Sequence, residues 1–115
     1  MPFLSQATAN RIYIYVQAVL VRFEWDEAKD RSNYRKHGVD FGTAALVFDD
    51  PHCLMVQDRE VDGEARWQAT GWVEGLFLVI VAHTLHDDEG EEIIRIISAR
   101  EVTTHERRQY EGRHF

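Results

Sequence analysis

The chain has 115 residues, of which 44% are hydrophobic, and a formal net charge of −7 at pH 7. The length predicts one folded domain, and the hydrophobic content excludes an intrinsically disordered chain. The negative charge argues against a general nucleic-acid-binding protein, because such proteins are usually basic. The single cysteine, Cys53, excludes an intramolecular disulfide and a metal site built from cysteines alone.

The first apolar run, residues 12–23, is predicted to be an extra strand or a strand-like arm. Gln17 interrupts this run, which is also too short to span a bilayer. A signal sequence is the alternative, although no small-residue cleavage pattern follows. We therefore expect residues 1–21 to be an N-terminal extension or arm and residues 22–115 to be a single domain. A lone cysteine fits the reducing cytoplasm, where we expect the protein to act.

Two helices are predicted next. Asp26 is a good N-cap, and residues 27–36 favour a helix that ends at Gly38, a residue free to adopt the left-handed conformation. Apolar residues at helical spacing predict a second helix over residues 41–48. Pro51 follows this second helix and marks its end.

The rest of the chain reads mainly as strands. The predicted extended segments are residues 54–56, 66–73, 76–84 and 92–99. Glu74 and Gly75 form a tight hairpin turn, and a last helix is predicted to run to about residue 111, with Thr103 and Glu106 forming a capping box. The fold class is therefore α+β, with N-terminal helices and a C-terminal helix against one face of a three- to four-stranded antiparallel sheet.

Arginines inside strand-like segments are the main candidates for chemistry. Arg95 and Arg100 lie within or beside an isoleucine-rich run, and Arg66 lies on a neighbouring predicted strand. Arginine binds phosphate with two parallel hydrogen bonds, and residues on adjacent strands can share one face. The alternative is that these arginines lie on the wet face of a half-buried sheet.

Further candidates lie at helix ends. Lys36 and His37 stand together before the turn at Gly38, where they could meet RNA or simply complement the helix dipole. The last helix adds three possible RNA-binding residues, Arg107, Arg108 and Tyr110.

A metal site is not expected. His83 and His86 precede two acids, but this spacing is a weak signal, because zinc sites need three or four converging ligands. No phosphate-binding glycine loop or serine nucleophile motif is present. We therefore expect neither a metal nor another cofactor.

Several short motifs in order resemble the BrnT family of toxins from bacterial type II toxin–antitoxin systems. The resemblance runs from about residue 22 to residue 112. The matching pieces are Phe23-Glu24-Trp25-Asp26 with Ala28-Lys29, Asn33-Tyr34-Arg35-Lys36-His37-Gly38-Val39 with Phe41, Ala44-Ala45 with Val47-Phe48-Asp49-Asp50-Pro51, Glu64-Ala65-Arg66 with Gly71, and Ile94-Arg95-Ile96-Ile97-Ser98-Ala99-Arg100 with Glu106-Arg107-Arg108 and Tyr110.

The resemblance implies a fold similar to that of RelE-type ribonucleases and a toxin that cleaves RNA without a metal and blocks translation. It implies a cognate ribbon-helix-helix antitoxin of the BrnA type, which wraps the toxin and binds operator DNA. The residues that match expected catalytic positions are Lys36, His37, Arg66, Arg95 and Arg100, followed by Tyr110.

The implied reaction is attack by an RNA 2′-hydroxyl on the adjacent phosphate. That step needs a base, an acid and cations that stabilise the developing charge. The arginines suit the last role, and Lys36 or His37 is the candidate acid or base. The alternative function is a non-catalytic protein of the same fold that acts only by binding a protein partner.

Overall fold

The computed structural model describes residues 12–16 and 19–114. The strands are β1 (Ile12–Val16), β2 (Val19–Glu24), β3 (Leu54–Val61), β4 (Glu64–Val73), β5 (Phe77–Asp88) and β6 (Glu91–Glu101). The helices are α1 (Glu27–His37), α2 (Phe41–Ala44), a 3-10 helix (Ala45–Asp49) that continues α2, and α3 (Thr104–His114). In this part of the chain no helix is long and apolar enough to cross a membrane.

The described strands form one six-stranded sheet in the order β1-β2-β6-β5-β4-β3. The last four strands are an antiparallel meander, but β2 runs parallel to β6. The prediction of a three- to four-stranded antiparallel sheet was therefore wrong in strand number and in the direction of β2. Local pattern did not reveal this pairing, because it joins residues 19–24 to a strand near the other end of the chain.

The β1–β2 hairpin accounts for the two additional strands. Residues 12–23 were interpreted as one extra strand or a strand-like arm. Val21 and Phe23 of β2 are buried in the core, which explains why this strand joins the sheet. The domain boundary expected after residue 21 stays a prediction.

The two faces of the sheet have different roles. Strand register places alternate residues on opposite faces. One face, here called the core face, carries buried apolar side chains, including Phe23, Ala69, Val79, Val81, Ile94 and Ile96. The other, here called the arginine face, carries Arg66, Gln68 and Thr70 of β4, Ile80, Ala82, Thr84 and His86 of β5, and Ile93, Arg95, Ser98 and Arg100 of β6.

The N-terminal helices cover the core face. The Asp26 carboxylate accepts a hydrogen bond from the Lys29 N–H, and Gly38 adopts the left-handed conformation with φ 75°, so both predicted helix ends are confirmed. The predicted second helix is a short α-helix followed by the 3-10 helix. The 3-10 helix crosses β4 so closely that a Cβ added at Gly71 would lie 2.8 Å from the Val47 carbonyl oxygen.

Helix α3 lies on the arginine face. Its Glu106 and Gln109 line a groove of about 390 Å³ with Thr70 and Ile80, and the Arg107 guanidinium lies 4.9 Å from the centre of the Trp72 ring. The prediction that all helices pack on one face was therefore wrong. The sequence of α3 is mostly polar, with one buried side chain, that of Tyr110, in its described part, so its pattern did not indicate a face.

Candidate active site on the arginine face

Arg66 and Arg95 stand on either side of Thr84. Thr84 pairs with Arg95 across β5 and β6, and the β4–β5 register places Arg66 beside Thr84 on the other side. With strands about 4.8 Å apart, the two arginine backbones are roughly 10 Å apart, a span that their long side chains can close around one phosphate. Arg95 is exposed and makes no ion pair within the described residues.

Arg100 lies further along the same face of β6, beyond a bulge. It lines a groove of about 150 Å³ together with His37, Gln68, Ile80, Ala82, Ser98 and Ala99. The structure therefore brings together two predicted site residues, His37 and Arg100, that are far apart in sequence. The Arg66–Arg95 pair begins just beyond Ala82 and Ser98 on the same face.

The Arg100 guanidinium is already engaged by α3. Its two terminal nitrogens donate to the two carboxylate oxygens of Glu106, each at 2.8 Å. This hydrogen-bonded pair lowers the pKa of Glu106 to about 2 and raises the pKa of Arg100. Arg100 therefore anchors α3, and Glu106 neutralises most of its charge, whereas Arg95 is exposed and has no such ion pair.

Lys36 and His37 are held in place by the end of α1. Both side chains are exposed, and neither has an ion-pair partner within 4.0 Å among the described side chains. Asn33, one turn earlier, is buried and bonds to the backbone of Ala99 next to Arg100. This contact fixes the end of α1 beside β6, so that His37 reaches the groove.

The candidates on α3 have separate positions. Tyr110 is 1% exposed, and its hydroxyl donates a 2.7 Å hydrogen bond to Asp50. Burial, followed by this hydrogen bond, raises the pKa of Tyr110. Arg107 stacks on Trp72, and Arg108 is exposed. Tyr110 therefore anchors α3, and RNA binding by Arg107 and Arg108 stays a prediction.

His83 and His86 lie on opposite faces of β5. His83 is fully buried on the core face, where burial lowers its pKa to about 4. His86 is on the arginine face, with its Nε2 atom 3.0 Å from the Glu64 carboxylate. The described residues hold no cluster of three or more histidine, cysteine, aspartate or glutamate side chains that could bind a metal ion.

Sequence reasoning missed the Glu64–His86 pair. The available signal was alternation, because Glu64 lies two residues before Arg66 and side chains at this spacing in a strand share a face. The predicted strand began only at residue 66, whereas β4 begins at Glu64. The position of His86 beside them depends on the β4–β5 register, which the sequence does not show.

Comparisons with known proteins agree with this fold. Residues 25–106 match the family described as "Ribonuclease toxin, BrnT, of type II toxin-antitoxin system". No curated protein matches the chain. A crystal structure of the Brucella abortus ribonuclease toxin BrnT is similar, with a TM-score of 0.52 and 26% sequence identity over 70% of this chain and 94% of that one.

The match covers most of this chain and includes every predicted site residue from Lys36 to Arg100. The first 24 residues lie outside it. Because the matching segment spans far more than half of the sequence, the chain belongs to the BrnT family of ribonuclease toxins of type II toxin–antitoxin systems.

Proposed function

We propose that this protein is a metal-independent endoribonuclease toxin that blocks translation by cleaving RNA. The observation that carries the proposal is the placement of Arg66, Arg95 and Arg100 on one face of the sheet, with His37 beside the last of them. Within the described part of the chain, Arg95 is exposed and forms no ion pair within 4.0 Å, and Asp26 is a more distant acidic neighbour. A phosphodiester is the ligand that such a surface fits.

The reaction is transesterification within the RNA chain. The 2′-oxygen forms a bond to phosphorus while the bond to the 5′-oxygen breaks, leaving a 2′,3′-cyclic phosphate and a 5′-hydroxyl. Arg66 and Arg95 stabilise the extra negative charge on the phosphorane. Arg100, which is paired with Glu106, would act on the substrate only where a phosphate competes with that carboxylate. The nucleophile is supplied by the substrate, so no metal-bound water is needed.

Lys36 and His37 are the candidates for proton transfer in the groove beside Arg100. His37 lines the groove directly, and Lys36 precedes it at the end of α1. Either side chain can protonate the leaving 5′-oxygen, which is the step that an alkoxide leaving group needs most. Arg108, which is exposed on α3, would bind flanking phosphates.

The arginines are tested by substitution. Arg66→Ala and Arg95→Ala are each expected to reduce RNA cleavage by about 100-fold, because loss of one preorganised charge typically costs on the order of 3 kcal/mol in the transition state. The measurement is single-turnover cleavage of a synthetic RNA, with growth on induced expression as a second readout. Arg31→Ala removes an exposed arginine of α1 and should leave both unchanged.

Two outcomes would contradict this function. If both variants cleaved RNA at the full rate, Arg66 and Arg95 would not be part of the active site. No cleavage by the unaltered chain, with tight binding to the antitoxin retained, would favour the alternative of a non-catalytic partner-binding protein.

Independence from metals is tested with a chelator. Cleavage by the purified chain should persist in excess EDTA and should yield 2′,3′-cyclic phosphate ends, because the attacking oxygen belongs to the RNA. The matched control is a metal-dependent ribonuclease in the same buffer. Loss of activity that zinc or magnesium restores would contradict the proposal.

The partner we propose is a ribbon-helix-helix antitoxin of the BrnA type that covers the arginine face. Charge-assisted contacts from acidic side chains are the interaction that Arg66 and Arg95 favour. Such a complex would neutralise the toxin in the cytoplasm and bind operator DNA through the antitoxin.

A further inference from the structure

His86 stands beside the Arg66–Arg95 pair, on the arginine face. The β5–β6 register places it opposite Ile93, two residues along β5 from Thr84. Its Nε2 atom is 3.0 Å from the Glu64 carboxylate, and the Arg66 Nε atom is 4.0 Å from the other oxygen of that carboxylate. Glu64 thus lies between the imidazole and a phosphate-binding arginine.

The hydrogen bonds of His86 select one tautomer. A carboxylate can only accept, so the Nε2 atom that faces Glu64 carries the hydrogen, and the Thr84 hydroxyl lies 3.3 Å from the same nitrogen. In the neutral ring the Nδ1 atom then carries a lone pair and has no partner among the described residues. The His86 side chain is 45% exposed, so the imidazole can meet a ligand on the sheet.

We propose that His86 is the general base that removes the proton from the RNA 2′-hydroxyl, with Glu64 as its positioning residue. This inference rests on the proposed ribonuclease function and deepens it. The Nδ1 atom accepts the proton as the bond between the 2′-oxygen and phosphorus forms, and the resulting imidazolium is stabilised by Glu64. A carboxylate that orients an imidazole in this way is a general arrangement for an activated base.

The positions of His86 and of the His37 groove, on either side of Thr84, support the assignment of His86 as the base. In-line displacement places the attacking and leaving oxygens on opposite sides of phosphorus. On β5, Thr84 lies between His86 on one side and Ala82, which lines the His37 groove, on the other. Thr84 itself is 1% exposed, so the phosphate would be held above it by the Arg66 and Arg95 side chains. Same-face neighbours along a strand are about 7 Å apart, so a phosphate at this position has one proton-transfer group on each side.

The first experiment separates chemistry from binding. His86→Gln is expected to lower the single-turnover cleavage rate by about 100-fold or more, as loss of a general base typically does. Its affinity for a matching RNA with a 2′-deoxy nucleotide at the cleavage site should stay within about 2-fold, because the phosphate-binding arginines are unchanged. His105→Gln, an exposed histidine on α3, is the matched control and should cleave normally.

The second experiment is the pH–rate profile. In the unaltered protein the rate should fall on the acidic side as the base becomes protonated, and this limb should disappear in His86→Gln. The charged groups on the face of His86 are Glu64 and Arg66 on β4, Glu91 and Arg95 on β6, Arg22 and Glu24 on β2, and Asp88 on its own strand. Glu64→Gln should lower kcat about 10-fold without changing KM, and Glu64→Asp should recover part of the loss.

The outcomes distinguish this inference from the function on which it rests. If the unaltered chain cleaves RNA and folded His86→Gln cleaves it equally well, or keeps the acidic limb, His86 is not the base. If the unaltered chain does not cleave RNA at all, the proposed function itself fails. A thermal unfolding transition for each variant would show that the variant is folded. We expect His86→Gln to fold, because the His86 side chain is exposed.

Discussion

Asn33 links the end of α1 to the strand that carries Arg100. Its side-chain NH2 group donates to the carbonyl oxygens of Val39 and Ala99, each at 2.8 Å, and its carbonyl oxygen accepts from the Ala99 N–H at 3.1 Å. A buried amide with three bonds fixes both position and orientation. This contact is the reason that His37 reaches the groove.

Replacing Asn33 by alanine is expected to destabilise the protein by about 2–4 kcal/mol, because three buried backbone groups lose their partner. Urea unfolding at pH 7 measures this change. Ser32→Ala on the exposed side of the same helix is the control and should change stability little. A loss below about 1 kcal/mol for Asn33→Ala would show that water or a shifted side chain replaces these bonds.

Single residues were predictable from sequence where their role is local. Asp26 and Gly38 were identified as helix ends because caps depend on a few neighbouring residues. Arg66 and Arg95 were identified because charge inside an apolar strand is unusual. Glu64 and His86 were missed because their contact depends on how β4 and β5 align.

At the scale of elements, α3 is held by polar contacts at its start. Glu106 accepts hydrogen bonds from Arg100 and from the Thr103 N–H, and the Glu106 N–H is bonded to the Thr103 hydroxyl at 3.2 Å. The predicted capping box is therefore confirmed. The face on which α3 packs was not predictable, since it is anchored by Tyr110 to Asp50, a residue 60 positions earlier.

Glu106→Gln should weaken this attachment. The pKa of Glu106 is lowered from 4.5 to about 2, so its stabilising contribution is complete above pH 4.5 and is lost as the pH falls through about 2. At pH 7 the expected loss is about 1–2 kcal/mol, a value reduced for solvent screening because the Arg100 side chain is 39% exposed.

The measurement is urea unfolding of both proteins across this pH range. The difference between Glu106→Gln and the unaltered chain should shrink toward acidic pH, since protonation removes the same charge. Glu111→Gln, at the weaker exposed pair with Arg107, is the control and should show a small difference at every pH. A difference that does not change with pH would exclude the ion pair as the cause.

At the scale of the whole molecule, part of the negative charge is concentrated at one end of the sheet. The β3–β4 and β5–β6 turns lie at the same end of the sheet and carry acidic residues, among them Asp62, Asp88 and Glu89. The net charge of −7 is therefore compatible with a local phosphate site, because local field rather than net charge guides docking. The net charge had argued against nucleic-acid binding. Composition gives only the sum of the charges and not their positions on the folded protein.

The antitoxin should bind this same face. The double charge reversal Arg66→Glu and Arg95→Glu is expected to weaken antitoxin binding by at least 100-fold, because it replaces attraction with repulsion across the buried centre of the contact. Arg31→Glu and Arg35→Glu on α1 form the matched control. Antitoxin affinity is measured by calorimetry. If both double variants bound the antitoxin equally well, the antitoxin would bind a surface other than the arginine face.

Operator DNA should be bound through the antitoxin and not by this chain alone. DNA carries about one negative charge per 1.7 Å of helix axis, so a protein with net charge −7 is repelled unless a basic surface large enough for the duplex is exposed. Within the described residues, α1 contacts β6 and α3 lies on the arginine face, so neither stands free to enter a major groove. In mobility-shift experiments the chain alone should leave operator DNA unshifted at micromolar concentration, whereas its complex with the antitoxin should shift it. A sequence-specific shift by the chain alone would reverse the assigned roles, and a complex that releases the DNA would show that the antitoxin cannot hold toxin and operator together.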